Sequence, residues 1–146
     1  MPKVDLSERK LGLNAFLQQR MSILVDFIGQ LGFPEPYRVL NETHLFIRGV
    51  SDWIAHQQIS PTDRAWLASR MGYLIGEYLI AQFKGEWFVC DNEESEYVGR
   101  YVVGRFLLLP HNNASVDPME AAMSVVSGQK QLITVLEDVK RALAAN

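Results

Sequence analysis

The chain has a single cysteine, Cys90, so no disulfide can form within it. That suits a reducing compartment. No window approaches the 18 or so consecutive apolar residues that mark a membrane-spanning helix. The opening residues, MPKVDLSERKLG, carry charges where a secretory signal needs an apolar run. From these absences the expectation is a cytoplasmic protein that neither crosses nor binds a membrane.

Catalytic and cofactor signatures are missing too. There is no G-x-S-x-G elbow, no P-loop and no G-x-G-x-x-G dinucleotide fingerprint. GRYVVG has no lysine and lies in a strand-like run. His44, His56 and His111 are not at mutual ligand spacing, and one cysteine cannot build a common zinc site. Cys90 reads as a small buried residue at a strand end, not a nucleophile. His56, in DWIAHQQ, reads as a hydrogen-bonding residue at a helix end. No cofactor, no metal and no enzymatic activity are expected.

What is present fits one domain, residues 1–146. A chain of this size buries roughly 70% of its unfolded surface and needs no staple. Apolar residues make up 48%, which argues against disorder over most of the length. Asp5 and Glu8 form a capping box ahead of a stripe, Leu13, Phe16, Leu17, Leu24, Phe27, Ile28 and Leu31. Gly32, Pro34 and Pro36 stop that helix near residue 31. The stripe suits the core but could face a partner, which keeps a homodimer open. Residues 34–40 read as a loop. Asn41 or Thr43 caps a second helix carrying Leu45, Phe46, Trp53 and Ile54.

In SPTD, Ser60 is the expected cap and Pro61 the first residue of a third helix. Its stripe is Leu67, Met71, Leu74, Ile75 and Tyr78, with Gly72 and Gly76 letting another backbone approach. Gly85 ends it. EWFVC and YVGRYVVGRFLLL, rich in β-branched and aromatic residues, form a hairpin with a bulge or bend at Gly99 or Gly104. Trp87 and Val89 should face inward, Phe88 and Cys90 the other way. HNNAS is a loop. Asp117, Pro118 and Glu120 open a short fourth helix, and a fifth spans about residues 129–144. The fold class is α+β: about five helices around a small antiparallel sheet, with the 86–108 hairpin central.

Charge is unevenly spread. All 14 Lys and Arg lie outside residues 86–98, which hold Glu86, Asp91, Glu93, Glu94 and Glu96. Such a face repels phosphates, so nucleic acid is not an expected partner. DNEESE lacks the spaced D-x-[DN]-x-[DN]-G loop that calcium binding needs. A solvated turn is one use for Asp91, Glu93, Glu94 and Glu96. Docking to a basic protein surface is the other, since clustered carboxylates steer association. Glu77, in LIGEYL, is half buried on this reading, paired with Arg70 or Arg100 or serving as an acid.

IGEYLIAQFKGEWFV and VDPMEAAMSVV supply a further cue. The segment from Gly72 to Gly128 resembles a pattern in several small bacterial families. There a helix with a G-E-x-L-like turn precedes a G-x-W-x-V strand, a second strand, and D-P-x-x-x-V opening a helix. Some relatives of this type look like immunity proteins that bind and block a cognate toxin. The resemblance implies a binding protein that neutralises a secreted toxin by occlusion, and the clustered charge of Asp91, Glu93, Glu94 and Glu96 suits the side that meets the partner. The alternatives are a small enzyme or ligand-binding domain, with a pocket between hairpin and helices using Glu77, His56 or Tyr78, and a structural subunit of a larger assembly.

Overall fold

A computed structural model describes residues 5–110 and 113–145. Its elements are α1 (Leu6–Gln30), α2 (His44–Ala55), α3 (Arg64–Phe83), β1 (Glu86–Val89), β2 (Tyr101–Gly104), β3 (Ser115–Val116), α4 (Pro118–Val126) and α5 (Leu132–Ala145). The strands form one antiparallel sheet in the order β1-β2-β3, with Trp87 opposite Val103 and Val103 opposite Val116. The class is α+β, as the sequence patterns suggest. No helix among the described residues is long and apolar enough to cross a membrane.

The first helix begins where its cap dictates. The Asp5 carboxylate accepts the Glu8 N–H at 3.1 Å. Gly32 takes φ +90° just beyond the helix, as a C-terminal glycine does. Only the lower half of the α1 stripe, Leu24, Phe27 and Ile28, is fully buried. Pro36–Leu40, expected as plain loop, winds into a 3₁₀ helix. Arg38 holds it by bonding the Glu42 carboxylate through Nε (2.6 Å) and Nη2 (3.0 Å), and Glu35 through Nη1 (3.1 Å). Thr43 sits at the α2 cap position, but its hydroxyl donates backward to the Val39 carbonyl at 2.7 Å. Leu45, placed on the α2 stripe, is exposed instead; Phe46, Ile47, Val50 and Ile54 are the buried face.

The start and stop of α3 differ from expectation. The Ser60 hydroxyl bonds the Asp63 carboxylate at 3.0 Å, so it is not available to cap. Residues 60–63 close a turn, and the helix starts at Arg64 with Asp63 before it. At the other end Lys84, not Gly85, takes the left-handed conformation, with φ 55°. Gly85 is needed for room: a Cβ there would lie 2.6 Å from Phe106 and 2.7 Å from the Gly104 carbonyl. Every residue from Met71 to Glu77 is buried, so α3 is the central helix, packed all round. On Gly76 lies the Trp87 ring, in the space a Cβ would need; an indole, not a backbone, fills it. Gly72 faces Met119 at the start of α4.

The hairpin forms, but its second strand is short. Gly99 (φ +80°) and Arg105 (φ 54°) bend the chain on either side of β2. Beyond it the Leu107 and Leu108 N–H groups bond the Lys84 and Phe83 carbonyls, turning the chain back onto the end of α3. Trp87 and Val89 are buried together, as alternation requires. Cys90 is buried as well, correcting its assignment to the open face; its N–H extends the ladder to the Arg100 carbonyl at 2.9 Å. Within HNNAS, His111 and Asn112 lie outside the described residues, while Ser115 belongs to β3. Asp117 caps α4 by accepting the Met119 and Glu120 N–H groups at 3.0 and 3.3 Å.

Candidate functional site

The acidic residues occupy the connection between β1 and β2. Asn92 organises its first half: its Oδ1 accepts the Glu94 N–H at 3.0 Å and its carbonyl the Ser95 N–H at 3.0 Å. Ser95 organises the second: its hydroxyl accepts the Tyr97 N–H at 3.1 Å. Such local side-chain bonds replace the ladder where strands must reverse. They leave the side chains of Asp91, Glu93, Glu94 and Glu96 exposed. Asp91 has a cation, Lys10 Nζ at 3.4 Å, in a pair more than half exposed. Among the described residues Glu93, Glu94 and Glu96 are in no ion pair.

Two contacts fasten the base of this turn to α1. Arg9 Nε donates to the Gly99 carbonyl at 2.7 Å, and its guanidinium lies 4.6 Å from the Tyr101 ring centre. The Tyr101 hydroxyl donates to the Arg9 carbonyl at 2.9 Å. Beneath them Phe16 packs on Tyr101, Trp87 and Tyr73, with ring centres 4.4, 5.1 and 5.6 Å away. The turn therefore rides on a rigid base.

The base of the turn also reaches the start of α4. Tyr97 and Arg100 form the bridge, and Arg100 Nη1 donates to Asp117 at 2.9 Å and Glu120 at 3.0 Å. Partial burial, and then the nearby Glu120, Glu96 and Asp117 carboxylates, push the Tyr97 hydroxyl up from its ordinary pKa. Asp117 and Glu120 were legible only as a helix start. Glu120 does not complete the capping box; its carboxylate turns to Arg100 instead. Only the folded chain puts them beside Glu96.

Glu77, His56 and Tyr78 do not converge. Glu77 is buried, and its partner is neither Arg70 nor Arg100 but Arg20 on α1, with Nε 2.7 Å from Oε1. That approach is short but poorly aligned, and neither atom makes a proper hydrogen bond. Burial pushes the Glu77 carboxyl above its ordinary 4.5; Arg20 and the Trp87 indole pull it only partly back. His56 stands exposed at the end of α2, its Nδ1 donating to the Asp52 carbonyl at 2.7 Å. The Tyr78 hydroxyl accepts from Lys140 on α5 at 3.2 Å. Arg70 stacks on Trp66. A recess of about 220 Å³ does lie between α1, β2 and α4, but Arg9, Phe16, Arg100, Tyr101, Asp117 and Met119 line it. Among the described residues no three of His, Cys, Asp or Glu group as metal ligands.

Comparison of the chain with family models, with curated proteins and with solved structures gives no match.

Proposed function

We propose that this protein is a binding protein of the immunity or antitoxin kind, which neutralises a toxin by covering it. The acidic turn meets a basic surface on that partner. The observation that carries the reading is the state of the turn. Its backbone is tied down by Asn92 and Ser95, and Glu93, Glu94 and Glu96 stand exposed with no cation paired to them among the described residues. A preordered, uncompensated acidic surface loses little entropy on docking and steers a basic partner into register. The toxin-neutralising part draws on the pattern in residues 72–128 that resembles immunity-protein families. A separated Glu77, His56 and Tyr78 favour occlusion over chemistry, since acid–base catalysis needs its groups in mutual reach.

The test is co-expression with the product of the neighbouring gene, at graded levels. Protection should track the ratio of the two proteins, because one bound copy blocks one target. Cys90→Ala, His56→Ala and Glu77→Gln should protect as the wild type does. Protection by trace amounts against a large excess of toxin, abolished by one of these substitutions, would show catalysis and end the occlusion reading.

A further inference from the structure

The long first helix is held very differently at its two ends. The inner end belongs to the core. Leu24, Phe27 and Ile28 are fully buried there, and the Phe27 ring packs edge-on against Trp53 and Trp66, with centres 5.9 and 5.8 Å away. From Leu6 to Ile23 no residue is fully buried. The main apolar hold of this outer stretch is the half-buried Phe16, against Tyr73, Trp87 and Tyr101.

Arg20 is the charged side chain that this stretch sends inward, and the seam it enters is poorly made. The Glu77 side chain opposite is 7% exposed, that of Arg20 15%. Neither Arg20 Nε nor Glu77 Oε1 is hydrogen-bonded, although they approach to 2.7 Å. The Trp87 indole N–H of β1, beside Glu77, has no aligned acceptor either. The other groups on this side of α3 are the Tyr73 hydroxyl, one turn before Glu77, and Arg70, one turn earlier again. Closing α1 over α3 therefore takes three polar atoms out of water and bonds none of them. Such groups lose their hydration without compensation. Lifting the outer stretch returns all three to water and leaves the Leu24–Ile28 core in place.

We propose that residues 9–20 of α1 form a strap that opens as one unit, hinged ahead of Leu24, and uncovers Tyr73, Trp87 and Tyr101. Opening also frees the Gly99 carbonyl from Arg9 at the base of the acidic turn. The strap responds to pH through Glu77. Burial in the closed state holds its carboxyl above the ordinary 4.5, and in the open state water restores it. Glu77 favours the closed state fully below 4.5, and that preference is lost as pH rises through the raised value. Opening is therefore commoner at neutral pH than in acid. The proposal is independent of the toxin-neutralising reading and stands or falls alone.

Native-state hydrogen exchange tests it, read amide by amide in NMR spectra and corrected for intrinsic exchange, from about pH 4.5 to about pH 7.5. Residues 10–20 should share one opening constant, about tenfold or more above that of residues 24–30, with a step between the two sets. The constant should grow with pH in the wild type and stay level in Glu77→Gln. Phe16→Ala should raise it about tenfold further and leave residues 24–30 unchanged. Should Glu77→Gln fail to fold, the wild-type step, the wild-type pH slope and Phe16→Ala decide alone. Protection that climbs smoothly from residue 9, as fraying gives, would overturn the strap. So would equal protection at both ends, no pH slope in the wild type, a slope that Glu77→Gln keeps, or a Phe16→Ala chain that loosens both ends alike or does not fold.

Discussion

Two sets of carboxylates in this molecule live under opposite conditions. Glu77 is buried on the central helix against one poorly aligned arginine, and burial outweighs that arginine. Asp91, Glu93, Glu94 and Glu96 stand in water on a turn that needs none of them to hold its shape. The same chemical group is therefore a structural strain in one place and unused charge in the other. A carboxylate that is unnecessary to the fold is free to serve a partner; one enclosed by the core is bound to the fold's own energetics.

The comparison can be broken most severely from the buried side. Trp87→Ala removes the ring that covers Gly76 and flanks Glu77, and should lower stability by about 3–5 kcal/mol in urea denaturation. A loss under about 1 kcal/mol would mean the indole is not part of the core. Arg20→Ala leaves the Glu77 carboxylate buried alone and should be nearly as damaging at neutral pH, about 3 kcal/mol. Its deficit should shrink in acid, as the carboxylate takes up a proton.

Glu77→Gln should behave differently, and the sign follows from linkage. A raised folded-state pKa means the native protein prefers the neutral carboxyl. That contribution is fully present below the ordinary 4.5 and is lost as pH rises through the raised value. Glutamine has no such slope, so the variant should gain on the wild type as pH climbs above 4.5. The pH slope is the readout: the stability of the variant relative to the wild type should rise from about pH 4 to about pH 8, and a difference that stays flat or falls over that range would contradict a raised Glu77 pKa.

Much of this arrangement was legible before folding, for local reasons. Asp5 and Asp117 announced α1 and α4 because a cap acts on N–H groups two or three residues away. The acidic turn was visible as composition. Ser60 misled because its hydroxyl chose Asp63 over a backbone donor. β3 was missed because two residues carry no alternation; pairing with Val103 and Gly104 makes it a strand. The Arg20–Glu77 pair, the Arg100 link to Asp117 and Glu120, and the packing of Trp53 and Trp66 on Phe27 all join distant parts of the chain. Nothing in local spacing encodes them.

The exposed side should be almost silent in stability. Replacing Asp91, Glu93, Glu94 and Glu96 together with Asn or Gln should change it by about 0.5 kcal/mol or less, since only the exposed Lys10 pair is lost. The decisive measurement is the association rate of this variant and of the wild type with the basic partner proposed above, followed from low to high salt. The wild-type rate should fall steeply as salt screens the turn. The variant should start about tenfold slower at low salt and change little as salt rises. Equal rates with equal salt dependence would reduce the acidic turn to a solvated loop and contradict the docking role assigned to it.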